Sequence, residues 1–156
     1  MAIAITLENY LQEMGATFDV VNHPYSLSSL MTAQSAHISS DTLAKTVVLE
    51  DSGGYLVAVL PASNRLEIDR VDQVMNRNLE MASEEELSMI FKDCEIGAIP
   101  PTGVAYGLDT ILDASLCQLE DVYFEAGDHT DLIHMSGEEF RGLMADCQQA
   151  NISHHR

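Results

Sequence analysis

Apolar residues recur with a helical period at the start of the chain and with a strand period in its centre. Four of them between Leu7 and Met14 fall on one helix face. Thr6 is predicted to be the N-cap of this first helix, and Gly15 suits the left-handed position that ends it.

The centre of the chain is typical of a β-sheet. Residues 43–49 and 55–60 are rich in apolar and β-branched side chains, and the segment between them reads Glu-Asp-Ser-Gly-Gly. This pattern predicts a β-hairpin. Residues 65–68 alternate as a third strand, after which Asp69 is predicted to cap a helix carrying apolar residues on one face.

Two capping boxes, in which a serine precedes a glutamate by three residues, predict the later helices at Ser83 and at Ser136. A loop dense in glycine and proline, residues 95–103, lies between them. Brief patterned runs predict shorter elements: strands at residues 18–21, 110–112, 122–124 and 132–134, and a helix at 32–37. Residues 151–156 are expected to be a frayed C-terminal tail.

These strands and helices are mixed without strict β-α-β alternation, which indicates an α+β domain with a mixed sheet. The 156 residues suit one domain, predicted over residues 1–150. A hydrophobic content of 46% argues against disorder. No apolar run reaches the roughly 20 residues of a membrane-spanning helix. The three cysteines form no C-x-x-C pair, which favours a reduced, cytoplasmic protein.

Charge narrows the classes of partner. Twenty-five acidic residues against seven Lys and Arg give a formal net charge of −18. Such a surface repels phosphates and anionic lipids, so broad binding to DNA, RNA or membrane is disfavoured. A local contact to RNA stays open, because four of the seven basic residues fall between Arg65 and Lys92.

Familiar catalytic signatures, such as the P-loop, the G-x-S-x-G elbow and the H-E-x-x-H motif, are absent from the sequence. His129 and His134 are spaced unfavourably for one metal ion, and neither a metal nor a cofactor is predicted. Two features stand out: Lys45 inside an apolar strand, and a rigid loop in which Gly97 and Gly103 bracket two prolines. A lysine reaching out to water and an ordinary turn are the structural alternatives.

Three segments taken together resemble one known family. They are Leu-Ala-Lys-Thr-Val-Val-Leu at 43–49, Gly-Ala-Ile-Pro-Pro-Thr-Gly at 97–103 and Val-Tyr-Phe-Glu-Ala-Gly-Asp-His at 122–129. In this order and at these separations they resemble the YbaK/ProX family of aminoacyl-tRNA deacylases. The resemblance covers roughly residues 5–145 of the chain.

The resemblance implies a single domain with a mixed, barrel-like β-sheet flanked by helices. It implies an ester hydrolase that removes a wrong amino acid from its tRNA in trans, with Lys45 as the catalytic residue. The substrate-binding residues that it implies are Thr46, Gly97, Ala98, Ile99, Pro100, Pro101, Gly127 and His129. The partners would be the acceptor end of an aminoacyl-tRNA and a synthetase that holds it.

The acidic surface departs from what a tRNA-binding enzyme usually presents. Three accounts stay open: contact with the terminal nucleotides alone, dependence on a basic partner such as a synthetase, or a change of ligand in the same fold. The competing function is a non-catalytic binding module that uses the pocket for another small ligand or docks a basic partner protein. A structural acidic adaptor is a third reading, in which Lys45 has no function.

Overall fold

The computed structural model describes residues 3–155. Its helices in that range are α1 (Ile5–Glu13), α2 (Ser29–Ser35), α3 (Ile68–Met75), α4 (Glu84–Ile90) and α5 (Gly137–Leu143), with two 3₁₀ turns at Gly103–Tyr106 and Ala114–Gln118. Its strands there are β1 (Asp19–Asn22), β2 (Leu43–Asp51), β3 (Gly54–Pro61), β4 (Asn64–Leu66), β5 (Glu80–Met81), β6 (Asp109–Asp113), β7 (Asp121–Glu125), β8 (Asp131–Ser136), β9 (Gln148–Ala150) and β10 (Ser153–His155).

One mixed sheet organises the domain, in the order β1-β8-β7-β2-β3-β6-β9, with β5 added beside β2. The hairpin β2–β3 is antiparallel, whereas β7 runs parallel to β2 and β6 runs parallel to β3. The predicted α+β class with a mixed sheet and flanking helices is confirmed. No pairing found within residues 3–155 joins the β1 and β9 edges, so the barrel-like closure stays a prediction.

The main core lies between one face of this sheet and the helices that cover it. Leu7 and Leu11 of α1 are fully buried there, and Phe140 of α5 packs at 6.2 Å, between ring centres, from Phe124 of β7. Each such side chain contributes roughly 1.5–3 kcal/mol by leaving water. In the described part of the chain no helix is both long and apolar enough to cross a membrane.

The helix ends test the predicted caps. Ser83 forms the complete capping box with Glu86, and the Ser136 hydroxyl accepts a hydrogen bond from the backbone N–H of Glu139. The caps predicted at Thr6 and Asp69 are wrong. Each lies inside its helix, because α1 begins one residue earlier and α3 begins at Ile68.

Two other expectations differ from the structure. The short helix expected at 32–37 begins three residues earlier, at Ser29, because Ser28 caps it through the backbone N–H of Met31. The tail expected to fray from residue 151 instead holds β10, which pairs with β4, and Ile152 is fully buried. Arg156 lies outside the described residues.

Candidate functional site

The loop predicted to form one wall of the site is docked on the segment that follows β7. The backbone N–H of Gly127 donates to the carbonyl of Ala98 at 3.0 Å, and that of Glu95 donates to the carbonyl of Gly127 at 2.8 Å. Ala98, Pro100 and Pro101 are buried. The loop is therefore fixed at both its start and its middle, and its prolines restrict it further.

His129 also binds the loop at this junction with Gly127. Its Nε2 donates to the carbonyl of Ile96 at 2.7 Å, and its ring meets Tyr25 edge-on. Gly97 has a φ of +88°, and a Cβ there would come within 3.1 Å of the His129 ring. A glycine therefore suits this position on both conformational and steric grounds. The structure thus brings three predicted site residues, Gly97, Gly127 and His129, into one cluster.

Thr46 meets the loop across a cavity of about 350 Å³. Its walls are mostly apolar, and the residues that line it are Thr46, Val47, Val48, Met81, Ala82, Glu84, Leu87, Ile96, Gly97 and Ile99. The Thr46 hydroxyl is buried, with no hydrogen-bond partner among the described residues. It is a donor and acceptor that a ligand in this cavity can use.

Lys45 faces the other side of β2 from Thr46, because successive strand residues point to opposite faces. Strands β2 and β7 run parallel, with Leu43 opposite Tyr123. Lys45 and Glu125 each lie two residues further along, so the two side chains emerge on one face of neighbouring strands. Lys45 is therefore not among the residues that line the Thr46 cavity, and continuing the register by two residues puts it on the same strand face as Glu125.

Glu125 and Asp128 are buried acids, each with 5% of its surface exposed. One oxygen of Asp128 accepts hydrogen bonds from the backbone N–H groups of Thr130 and Asp131, at 3.1 and 2.8 Å. Its other oxygen and Oε1 of Glu125 are buried and lack a hydrogen-bond partner within residues 3–155. Burial, and then the charge of Asp128, raises the pKa of Glu125 to about 8.

This raised pKa predicts a pH-dependent stability. A glutamate titrates near 4.5 when unfolded, so between that pH and about 8 only the folded protein holds the proton, and stability falls as pH rises. Glu125→Gln mimics the protonated carboxyl, and we expect it to raise the free energy of unfolding at pH 9 but not at pH 4.5. Urea unfolding of both proteins at pH 4.5, 7 and 9 measures the difference. An equal difference at all three would contradict the raised pKa.

A larger groove of about 730 Å³ lies elsewhere, at the tip of the β2–β3 hairpin, and none of the predicted site residues lines it. It surrounds the ion pair of Arg77 and Asp51, in which two N–O distances are 2.8 and 2.6 Å. The Arg77 hydrogen bonds hold the pKa of Asp51 at about 2. Its cation, Arg77, is already paired with Asp51, which makes the groove a weaker candidate site.

Sequence reasoning missed Glu125 and Asp128, since they are two among twenty-five acidic residues. The signal that could have found Glu125 is its place on an apolar strand, where a carboxyl group is costly to bury. Asp128 has no comparable local signal.

The segments that form the candidate site lie within the part of the chain that matches a known family. The model of the aminoacyl-tRNA editing domain matches residues 23–143, which include β2, the docked loop and the segment after β7. The chain belongs to the aminoacyl-tRNA editing domain family. No curated protein matches the sequence of this chain.

Solved structures share the fold of this editing domain. A candidate trans-editing enzyme for prolyl tRNA synthetase superposes with a TM-score of 0.84 at 23% identity, covering 97% of this chain and 96% of that one. The hypothetical protein APE2540 gives 0.84 at 19% identity, covering 96% and 99%. A protein from Marinobacter aquaeolei VT8, named as a candidate in signal transduction, gives 0.78 at 21% identity, covering 97% of this chain but 31% of that one. At these identities the likeness establishes the fold alone.

Proposed function

We propose that this editing domain hydrolyses the ester that joins a wrong amino acid to its tRNA, acting in trans in the cytoplasm. The observation that carries the proposal is the docking of the 95–101 loop on Gly127 and His129 within a chain of the editing family. That junction gives a rigid wall in which Gly97 is exposed, so a substrate can approach the loop backbone closely there.

Hydrolysis of an aminoacyl ester requires few catalytic groups from the protein. In hydrolysis the oxygen of water bonds to the ester carbonyl carbon, the ester C–O bond breaks, and the terminal ribose oxygen leaves with a proton. An aminoacyl ester is already activated, so positioning it and stabilising the developing oxyanion suffice. In this proposal Lys45 donates to that oxygen from its own face of β2. The loop from Gly97 to Pro101 holds the aminoacyl end where it docks on Gly127, directly after β7, and not in the Thr46 cavity.

The basic residues limit how tRNA is held. Arg77 is bound to Asp51, and Arg70 lies 2.8 Å from Glu67, so two cations of the 65–92 segment are already in ion pairs. With a net charge of −18, the domain suits contact with the terminal nucleotides while a synthetase holds the tRNA body. The solved structure named for prolyl tRNA synthetase makes that synthetase the first to test.

A deacylation panel tests the proposal. Its substrates are tRNAs mischarged with alanine, cysteine, serine or threonine, with correctly charged tRNAs as controls, each with and without prolyl-tRNA synthetase. We expect release of one amino acid from mischarged tRNA at least about tenfold faster than from the correctly charged controls, a difference of about 1.4 kcal/mol. No turnover on any substrate, with the synthetase present, would overturn the hydrolase and favour the binding module.

A further inference from the structure

The buried acids Glu125 and Asp128 have no part in the chemistry proposed above. Glu125 is 5% exposed, and its Oε1 lacks a hydrogen-bond partner in the described chain. An unsatisfied buried acceptor costs stability, typically about 1–3 kcal/mol, and a donor on a bound ligand would remove that cost. Because the position is on a strand end next to the docked loop, that donor would come with the substrate.

The register of strands β2 and β7 relates the position of Glu125 to that of Lys45. The parallel register pairs Leu43 with Tyr123 and Ala44 with Phe124, and neighbouring strands run about 4.8 Å apart. Continued by one residue, that register puts Lys45 and Glu125 on one face of the two strands. An aminoacyl ester carries its carbonyl oxygen and its α-ammonium group on adjacent carbon atoms. A lysine that donates to the carbonyl oxygen and a carboxyl group that accepts from the α-ammonium group are complementary to the two ends of that unit.

We propose that the carboxyl group of Glu125 binds the α-ammonium group of the substrate, so that the site selects aminoacyl esters whose amine is unblocked. This inference rests on the proposed function and adds a recognition residue to it. The ammonium supplies the donors that Oε1 lacks, and its positive charge favours the ionised carboxylate, so a charge-assisted hydrogen bond forms once the Glu125 proton is released to solvent. The second acid, Asp128, adds negative potential at the same place. An N-acylated ester would bring neither the charge nor these donors.

The test compares one ester with and without its charge. The substrate is whichever aminoacyl-tRNA of the panel is hydrolysed, together with the same tRNA after N-acetylation, and the quantity measured is kcat/KM. We expect wild type to prefer the free amine at least about tenfold, and Glu125→Gln to reduce that preference to near one while hydrolysis of the N-acetylated ester persists. Glu13→Gln, at an exposed residue of α1, is the matched control and should keep the wild-type preference.

The other outcomes separate the two proposals. Equal hydrolysis of both esters by wild type overturns the role of Glu125 and leaves the hydrolase standing, and this arm needs no variant to fold. A preference that survives Glu125→Gln also overturns it. A variant that loses activity equally on both esters means that Glu125 positions Lys45 instead, which contradicts amine recognition. If wild type hydrolyses neither ester, the proposed function fails and this inference fails with it.

Discussion

Lys45→Ala is expected to lower kcat for deacylation by about 10²–10³-fold, the usual cost of removing one donor to a developing oxyanion. The chain has two lysines, and the second, Lys92, is exposed beyond the end of α4. Lys92→Ala is therefore the matched control, with the same change in charge and side chain at an exposed residue that does not line the Thr46 cavity. Single-turnover release of the amino acid from mischarged tRNA measures both variants.

Two results would contradict the role of Lys45. One is an unchanged kcat in Lys45→Ala, and the other is an equal loss in Lys92→Ala, which would indicate a general charge effect. Thermal melting accompanies the kinetics, because a half-buried lysine on a central strand also packs its aliphatic stem against its neighbours. Loss of activity with the melting transition retained is the expected combination.

Gly127→Ala is expected to destabilise the folded protein by about 2–5 kcal/mol, the sum of backbone strain and overpacking. Gly127 has a φ of +104°, and a Cβ there would lie 2.6 Å from the Cβ of Ala4. The neighbouring backbone cannot easily retreat, since the N–H of Ala4 donates to the carbonyl of Ala126 at 2.8 Å. Urea unfolding measures the loss.

Gly107→Ala is the control for backbone strain alone. Gly107 has a φ of +76°, and a Cβ there would meet nothing within 4 Å. We expect it to cost about 1–2 kcal/mol, so that the excess in Gly127→Ala reports the contact with Ala4. Equal losses in the two variants would mean that α1 yields to the added methyl group.

Local patterns predicted the elements whose signals are local. The β2–β3 hairpin and the α4 capping box follow from side chains within a few residues of each other, and both are present. The start of α1 was misjudged because Ala4, which has no capping side chain, is fixed by a distant bond to Ala126. The strand β10 was missed because it forms only where β4 offers its edge.

The site shows the same division. The residue pattern singled out the loop and Lys45, and the family resemblance gave them roles. The opposite facing of Lys45 and Thr46 follows only from the strand itself. That Lys45 and Glu125 share a strand face depends on the parallel register of β2 and β7, which no local sequence pattern encodes. Spacing along the chain could select neither acid.

The parallel contact between β2 and β7 also bears on the order of folding. The hairpin β2–β3 closes a short loop, whereas nearly half of the chain lies between β2 and its parallel neighbour β7. Contacts between residues so distant in sequence are entropically slow to form. We therefore expect the hairpin, which carries Lys45, to form early in folding. The site is complete only when β7, which carries Glu125, pairs with β2. We expect local unfolding at the β2–β7 contact to abolish activity while most of the secondary structure persists.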